Sequence, residues 1–204
     1  MTARAEITGL ILAGGRAQRM GGIDKGLVPF MGKPLIEHAI DRLTPQVASI
    51  LINANRNQDH YAQYGHAVIA DHHPDFAGPL AGFAAGLEHC NTEYLLSVPC
   101  DSPVFPLNLS ERMVEVMINT QSDLVYASSS DPSGAIWTQP VFCLMRRSVK
   151  KSLQNFLEHE GRKIDRWFET LRSSTVVFID ESAFANTNTP EELQTLEQTL
   201  QGSN

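Results

Sequence analysis

Residues 7–27 read Ile7-Thr-Gly-Leu-Ile-Leu-Ala-Gly-Gly-Arg-Ala-Gln-Arg-Met-Gly-Gly-Ile-Asp-Lys-Gly-Leu27. An apolar run typical of a buried strand opens directly into a loop rich in glycines and cations. These residues are Gly14, Gly15, Gly21, Gly22, Arg16, Arg19 and Lys25. Glycines let backbone N–H groups approach a phosphate without an intervening Cβ, and arginine and lysine bring charge to its oxygens. The stretch therefore predicts a strand that ends in a nucleotide-phosphate site.

Two common phosphate-binding loops do not fit this stretch. A Walker A loop needs Gly-x-x-x-x-Gly-Lys-Ser/Thr, but Lys25 is preceded by Asp24 and followed by Gly26. The dinucleotide fingerprint needs Gly-x-Gly-x-x-Gly, and that spacing does not occur in the loop. A plain turn between a strand and a helix would not need three cations and an Asp-Lys pair.

Strand-like and helix-like segments alternate along the chain. The predicted strands are residues 7–12, 47–54, 67–70, 93–98, 123–127, 135–144 and 175–179. The predicted helices are residues 35–43, 59–64, 109–118, 147–158, 166–171 and 190–200, with another that begins near Gly78. Strands separated by helices of this length favour an α/β fold. We predict a Rossmann-like three-layer sandwich, in which a mostly parallel central sheet is flanked by helices.

Four candidate site residues lie at or just beyond the carboxyl ends of predicted strands, namely Gly14, Asn53, Asp71 and Asp101. Functional groups of such sheets gather at the carboxyl ends of the strands, so we expect one crevice to hold all four. Asp101 lies between Pro99 and Pro103, and its hard carboxylate oxygens suit Mg²⁺. On spacing alone, Asp101 is equally well interpreted as an ordinary turn residue.

Composition excludes several classes of protein. The chain has 204 residues, a net charge of −7 and three cysteines without Cys-x-x-Cys spacing. The acidic balance disfavours a nucleic-acid partner, and the cysteines suit reduced thiols rather than disulfides or a zinc site. Residues 7–12 are too short an apolar run for a membrane span or a signal peptide. We therefore expect a cytoplasmic protein without nucleic-acid or membrane partners, and Cys100 to be a packed thiol.

The pattern Leu12-Ala-Gly-Gly-x-x-x-Arg-Met-Gly-Gly-x-Asp-Lys-Gly-Leu27 resembles the entry loop of nucleotidyltransferases. Within that superfamily it is most similar to the molybdenum cofactor guanylyltransferase family, because sugar and cytidylyl relatives usually carry proline where Asp24 stands. The resemblance implies transfer of GMP from GTP to the terminal phosphate of the molybdenum–molybdopterin cofactor, with Mg²⁺ as cofactor. It also implies transient contact with the molybdoenzymes that supply or accept the cofactor.

The resemblance also assigns roles to individual residues. The catalytic set is Lys25, Arg19 and Asp101, of which Asp101 is the metal ligand. The expected GTP-binding set is Leu12, Ala13, Gly14, Gly15, Lys25, Asn53, Asp71, Gly78 and Asp101. The expected acceptor-binding set is Gly82, Asn186 and Asn188, the two asparagines belonging to a C-terminal Asn-x-Asn-Thr-Pro element. Many relatives with other substrates have an acidic residue near this element, so a second carboxylate ligand for the metal is in doubt.

No linker or repeat divides the chain. We expect residues 1–204 to form a single nucleotidyltransferase domain, with GTP in its N-terminal half and the acceptor in its C-terminal half. Two alternatives remain at this stage. One is a cytidylyltransferase or sugar-phosphate nucleotidyltransferase of the same superfamily, and the other is a non-catalytic nucleotide- or cofactor-binding module. Asp24 either orients Lys25 or caps the turn, and the sequence leaves both roles open.

Overall fold

The computed structural model describes residues 4–13, 24–72, 78–131, 133–159, 161–179, 182–187 and 189–202. The strands are β1 (Ile7–Leu12), β2 (Pro29–Phe30), β3 (Lys33–Pro34), β4 (Ser49–Asn53), β5 (Ala67–Ile69), β6 (Tyr94–Pro99), β7 (Leu124–Ser130), β8 (Ile136–Arg146) and β9 (Ser173–Phe178). The helices are α1 (Leu35–Leu43), α2 (Gln58–Ala62), α3 (Pro79–His89), α4 (Leu109–Thr120), α5 (Lys150–Glu158), α6 (Ile164–Phe168) and α7 (Pro190–Gly202).

Seven of these strands form one sheet in the order β5-β4-β1-β6-β8-β7-β9. Strand β8 runs antiparallel to both of its neighbours, and the other pairings are parallel. The reversal into β8 follows a tight turn in which the Asp131 carboxylate accepts hydrogen bonds from the N–H groups of Ser133 and Ala135. The predicted α/β fold with a mostly parallel sheet is therefore confirmed.

Helices cover both faces of the sheet. Alternate residues of β1 enter different apolar clusters, because successive side chains of a strand point to opposite faces. On one face, α1 and α4 pack over the sheet, with Ile7, Ile11, Ile36, Leu43, Leu109 and Met113 buried. On the other face, α3, α5 and α6 pack over the sheet, with Leu10, Phe83, Leu87, Leu153 and Trp167 buried. These are the three layers that the sequence predicts.

Two glycines bring the helices close to β1. A Cβ at Gly9 would lie 2.7 Å from Leu43 of α1, and one at Gly86 of α3 would lie 2.6 Å from Leu10. Both distances are shorter than carbon atoms tolerate, so a larger residue would require the side chain of Leu43 or Leu10 to shift. The close packing holds β1 between the two helical layers.

The C-terminal helix returns to the N-terminal half of the chain. Leu196 of α7 packs in a small apolar cluster with Phe30 and Leu35. Thr189 caps the helix as predicted, since its Oγ1 accepts from the Glu192 N–H at 3.2 Å and the Glu192 carboxylate accepts from the Thr189 N–H at 3.3 Å. Along the described part of the chain, we find no helix with both the length and the apolar character to cross a membrane.

Several predicted boundaries shift in the structure. Residues 147–149 form a 3₁₀ turn ahead of α5, and β9 begins two residues earlier than predicted. The β2–β3 hairpin was missed, because two-residue strands carry no usable periodicity. None of these differences moves the carboxyl edge of the sheet.

Candidate active site

The end of β1 lies between the ends of β4 and β6. The Ala13 N–H donates to the Asn53 carbonyl at 2.9 Å, and the Cys100 N–H donates to the Leu12 carbonyl at 3.1 Å. Leu12 and Ala13 therefore have Asn53 on one side and the segment that bears Asp101 on the other. The carboxyl ends of the strands bring these predicted residues to one edge of the sheet. Gly14, Gly15 and Arg19 lie outside the described residues.

Lys25 and Asp101 meet at this edge. The Lys25 Nζ lies 3.0 Å from the Asp101 Oδ2, and the two side chains retain 25% and 16% of their exposure. Their partial burial strengthens the pairing relative to a surface ion pair, yet solvent and ligands still reach both groups. The predicted cation and the predicted metal-binding carboxylate thus form an ion pair.

Asp24 both caps the turn and connects it to α2. Its Oδ1 accepts from the Gly26 N–H at 3.3 Å, which is the capping bond of the turn over Lys25–Leu27. Shorter bonds come from the Tyr61 hydroxyl at 2.6 Å and the Asn57 amide at 2.9 Å. Burial, and then the hydrogen bond to Asp24, raises the pKa of Tyr61, so its hydroxyl remains a donor.

Two asparagines hold the carboxylate of Asp71. The Asn53 amide donates to the Asp71 Oδ1 at 2.9 Å, and the Asn55 amide donates to the Oδ2 at 2.8 Å. Asn55 also accepts from the Asp71 N–H at 2.9 Å. Each carboxylate oxygen accepts up to two hydrogen bonds, so both oxygens of Asp71 keep acceptor capacity for a ligand. Asn53 itself is buried, and its hydrogen bond orients the Asp71 carboxylate from the interior side.

The two predicted glycines of α3 lie in different environments. Gly78, at the N-terminus of the helix, has φ +113°, which residues with a Cβ rarely adopt. Gly82 is buried, and a Cβ there would lie 2.5 Å from Leu12 and 2.7 Å from the Asn53 Oδ1. Gly82 therefore packs directly against two of the predicted nucleotide-binding residues, and its expected contact with the acceptor stays a prediction.

Residues 186 and 187, from the C-terminal Asn-x-Asn-Thr element, lie beside Asp101. The Thr187 N–H and Oγ1 both donate to the Asp101 carbonyl, at 3.0 and 3.1 Å. Asn186 is exposed next to this contact. Asn188 lies outside the described residues. Thr187 therefore brings its neighbour Asn186 to the edge that carries Lys25.

The donor set around Asp101 fits a cation that a substrate helps to bind. Mg²⁺ in such sites takes one or two carboxylates and completes its shell with phosphates and water. No group of three histidine, cysteine or acidic side chains suited to a metal occurs among the described residues. Within the same residues, the Ser102 Oγ is the one buried side-chain polar atom without a hydrogen-bond partner. An unsatisfied buried hydroxyl next to Asp101 fits a site that a ligand completes.

Cys100 is a packed thiol, as expected. It is buried next to Asp101, and burial, followed by the charges of Asp101 and Asp24, raises the pKa of its thiol. A thiol of this kind is a poor nucleophile because the thiolate is the reactive form.

Sequence reasoning missed four residues that organise this edge, namely Asn55, Asn57, Tyr61 and Thr187. The alternation Asn53-x-Asn55-x-Asn57 directly after a strand was a usable signal, since it places three amides at the predicted edge. Tyr61 gave no such signal. Its hydroxyl becomes informative only once α2 is packed against the turn of Asp24.

Comparison with known proteins gives consistent relatives. A family described as the MobA-like NTP transferase domain matches residues 9–175. The molybdenum cofactor guanylyltransferase of Polynucleobacter asymbioticus is 61% identical over 200 residues, which is 98% of this chain and 100% of that protein. The corresponding protein of Cupriavidus necator is 50% identical over 197 residues, covering 97% of this chain and 99% of its own.

A solved structure has the same fold. Molybdopterin-guanine dinucleotide biosynthesis protein A from Archaeoglobus fulgidus superposes with a TM-score of 0.77. It is 20% identical in sequence, and the match covers 96% of this chain and 99% of that one.

Proposed function

We propose a function from the family to which this chain belongs, the MobA-like NTP transferase domain family, and within it the molybdenum cofactor guanylyltransferases. The chain transfers GMP from GTP to the molybdenum–molybdopterin cofactor. The products are the guanine dinucleotide form of the cofactor and pyrophosphate. The observation that carries the proposal is the Lys25–Asp101 contact of 3.0 Å at the carboxyl edge of the sheet. A non-catalytic relative would have no need to keep both charges there.

The reaction requires positioning and charge neutralisation rather than a protein base. The terminal phosphate of the acceptor is largely dianionic at neutral pH, because the second pKa of a phosphate monoester is about 6. One of its oxygens attacks the α-phosphorus of GTP in line. A new P–O bond forms, the bond from the α-phosphorus to the bridging oxygen breaks, and pyrophosphate leaves with that electron pair.

Lys25 is the residue suited to the charge that develops during this step. Its ammonium lies at the edge where β1 ends, and a preorganised cation lowers the barrier most where negative charge increases. Arg19 and the glycines Gly14 and Gly15 would add donors to the phosphates according to the family motif. Asp101 would hold Mg²⁺, which when bound supplies positive charge to the phosphate oxygens.

The Asp71 cluster supports guanine as the base. The Watson–Crick edge of guanine presents two adjacent donors, the N1–H and the exocyclic amine, and these match the two oxygens of a carboxylate. Asn53 and Asn55 hold Asp71 with both oxygens still able to accept. Cytosine offers one exocyclic donor on this edge, so it would leave part of the carboxylate unpaired.

The acceptor half of the proposal depends on the C-terminal element. Asn186 adjoins Thr187, which is bonded to the Asp101 carbonyl, and this supports assigning Asn186 and its motif neighbour Asn188 to the acceptor. Under this proposal, residues 1–204 work as one domain that brings the two substrates together at one edge. Transient contact with the enzymes that supply and receive the cofactor belongs to the same proposal.

The proposal is tested by incubating the protein with Mg²⁺, GTP and molybdenum–molybdopterin. We expect release of pyrophosphate and a product whose mass equals that of the acceptor plus GMP. CTP and ATP in parallel reactions distinguish a guanylyltransferase from other members of the superfamily, because equal turnover with CTP would contradict guanine recognition. Nucleotide binding without pyrophosphate release would identify a non-catalytic binding module.

A further inference from the structure

The carboxylate of Asp24 joins two distant parts of the chain. From the described residues it accepts three hydrogen bonds, of which one comes from Gly26 within its own turn. The two shorter bonds come from Asn57 and Tyr61, at the start of α2 and within it. A residue that merely capped the turn would need only the first bond. The two bonds from α2 therefore require another explanation.

Tyr61 is built into the core as a rigid donor. Its side chain is fully buried, and its hydroxyl lies 2.6 Å from the Asp24 Oδ1. A Cβ at Gly26 would lie 2.4 Å from the same hydroxyl, so the turn and the ring are in direct contact. The tyrosine thus fixes both the carboxylate of Asp24 and the backbone at Gly26, on either side of Lys25.

Asn57 supplies the second fixed donor. Its backbone is left-handed, with φ +52°, and asparagine adopts this conformation more easily than most residues. Its amide reaches the Asp24 Oδ2 at 2.9 Å, while its carbonyl accepts from the Tyr61 N–H at 3.1 Å. Asn57 and Tyr61 therefore act on Asp24 as one unit that belongs to α2.

The consequence falls on Lys25. The turn is closed by hydrogen bonds from the Leu27 N–H to the Asp24 carbonyl and from the Val28 N–H to the Lys25 carbonyl, both at 3.1 Å. A lysine side chain has four flexible methylene groups, so its ammonium is directed only if its backbone is held. In this structure the ammonium reaches Asp101, 76 residues away along the chain.

We propose that Tyr61 and Asn57 are positioning residues, which hold the carboxylate of Asp24 so that Lys25 is directed to Asp101 and to the triphosphate. This inference rests on the proposed function, because it assigns Lys25 to a bound nucleotide. Neither residue touches the reacting atoms, and each acts through Asp24. Their loss lowers the fraction of molecules in which Lys25 is correctly placed.

A charge exchange tests the Asn57 contact. Asn57→Asp keeps the size of the side chain and tolerates the left-handed backbone, but it places two carboxylates face to face. We expect kcat to fall about ten-fold or more, with a smaller change in the directly measured dissociation constant of GTP. Adding Asp24→Asn should restore most of the loss, because the amide introduced at position 24 donates to the carboxylate introduced at position 57.

Paired tyrosine variants test the hydroxyl. Tyr61→Phe removes the donor to Asp24, whereas Tyr64→Phe removes a hydroxyl from the same region whose partner is Glu37. We expect Tyr61→Phe to lower kcat about ten-fold and Tyr64→Phe to change it less than about two-fold. Melting temperatures of both variants show whether any loss follows from unfolding instead.

A readout independent of turnover completes the experiment. The rate at which an amine-acylating reagent modifies Lys25, followed by mass spectrometry of the peptide, should rise in Asn57→Asp and Tyr61→Phe but not in Tyr64→Phe. Unchanged kcat and unchanged acylation in folded variants would overturn the positioning role, as would a loss that Asp24→Asn does not restore. A wild-type protein without pyrophosphate release would instead reject the proposed function, and the acylation rates would still decide the positioning role.

Discussion

Thr187 donates two hydrogen bonds to the backbone carbonyl of Asp101, one from its N–H at 3.0 Å and one from its Oγ1 at 3.1 Å. The contact joins the C-terminal element to the carboxyl end of β6. Thr187 holds the backbone of Asp101, while the Asp101 carboxylate pairs with Lys25. The residue expected to bind the metal is therefore placed by two segments that are far apart in the sequence.

Thr187→Val tests this attachment. The change preserves the shape of the side chain and removes one of the two bonds, so we expect the free energy of unfolding to fall by about 1 kcal/mol. We also expect a higher KM for the acceptor and little change for GTP. Thr195→Val is the matched control, because the Thr195 hydroxyl is exposed on α7 and donates to the Glu191 backbone carbonyl of the same helix. A loss of stability with both KM values unchanged would show a purely structural contact.

Asp101→Asn is expected to fold but to lose turnover. The substitution is nearly isosteric, yet it removes the charge that pairs with Lys25 and would hold the metal, so kcat should fall by about 10²–10³. The measurement is pyrophosphate release over a range of Mg²⁺ concentrations, with circular dichroism to verify folding. Asp41→Asn removes a carboxylate whose partner is the exposed Lys33, and it serves as the control. Near-normal activity of Asp101→Asn would show that Asp101 is an ordinary turn residue and does not hold the metal.

Lys25→Ala separates catalysis from binding. If Lys25 stabilises charge that develops between the α-phosphate and the leaving pyrophosphate, kcat should fall by about 10²–10³. The affinity for GTP should fall less, since under the proposed function the backbone of residues 12–15 and the metal would still bind the triphosphate. Both quantities need to be measured directly, because KM alone mixes them. Weak GTP binding with normal turnover at saturation would contradict the catalytic role, and Lys33→Ala provides a control lysine at the surface.

Asn55→Ala should relax the choice of base. It removes the amide that holds the Asp71 Oδ2 and the carbonyl that accepts from the Asp71 N–H. We expect the ratio of kcat/KM for GTP to that for CTP to drop about ten-fold, because a carboxylate that is no longer oriented discriminates less between donor patterns. Asn91→Ala, before the amino end of β6 and thus at the opposite edge, is the control. An unchanged ratio would mean that Asn53 alone suffices to orient Asp71.

The local chemistry of the chain was readable before the structure. The strand over residues 7–12, the cap at Thr189 and the packed thiol of Cys100 all follow from short-range features of the sequence. Such features are set by neighbouring residues, through the alternation of apolar side chains or the reach of a hydroxyl to its own helix. The sequence also predicted that the site residues gather at the carboxyl edge of the sheet, because parallel strands end on the same side.

Only the tertiary structure decided which groups touch at that edge. The buried Asn53 holds Asp71, Tyr61 holds Asp24, and Gly82 packs closely against Leu12 and Asn53. Each of these contacts depends on strand register and on the depth at which a helix packs, and a change of about one ångström would break them, since hydrogen bonds weaken steeply with distance. Sequence periodicity specifies which face of an element is buried, and it does not specify that distance. The sequence by itself therefore determined the layers and the chemistry of the loop, and the packing of α2, α3 and the C-terminal segment determined the site.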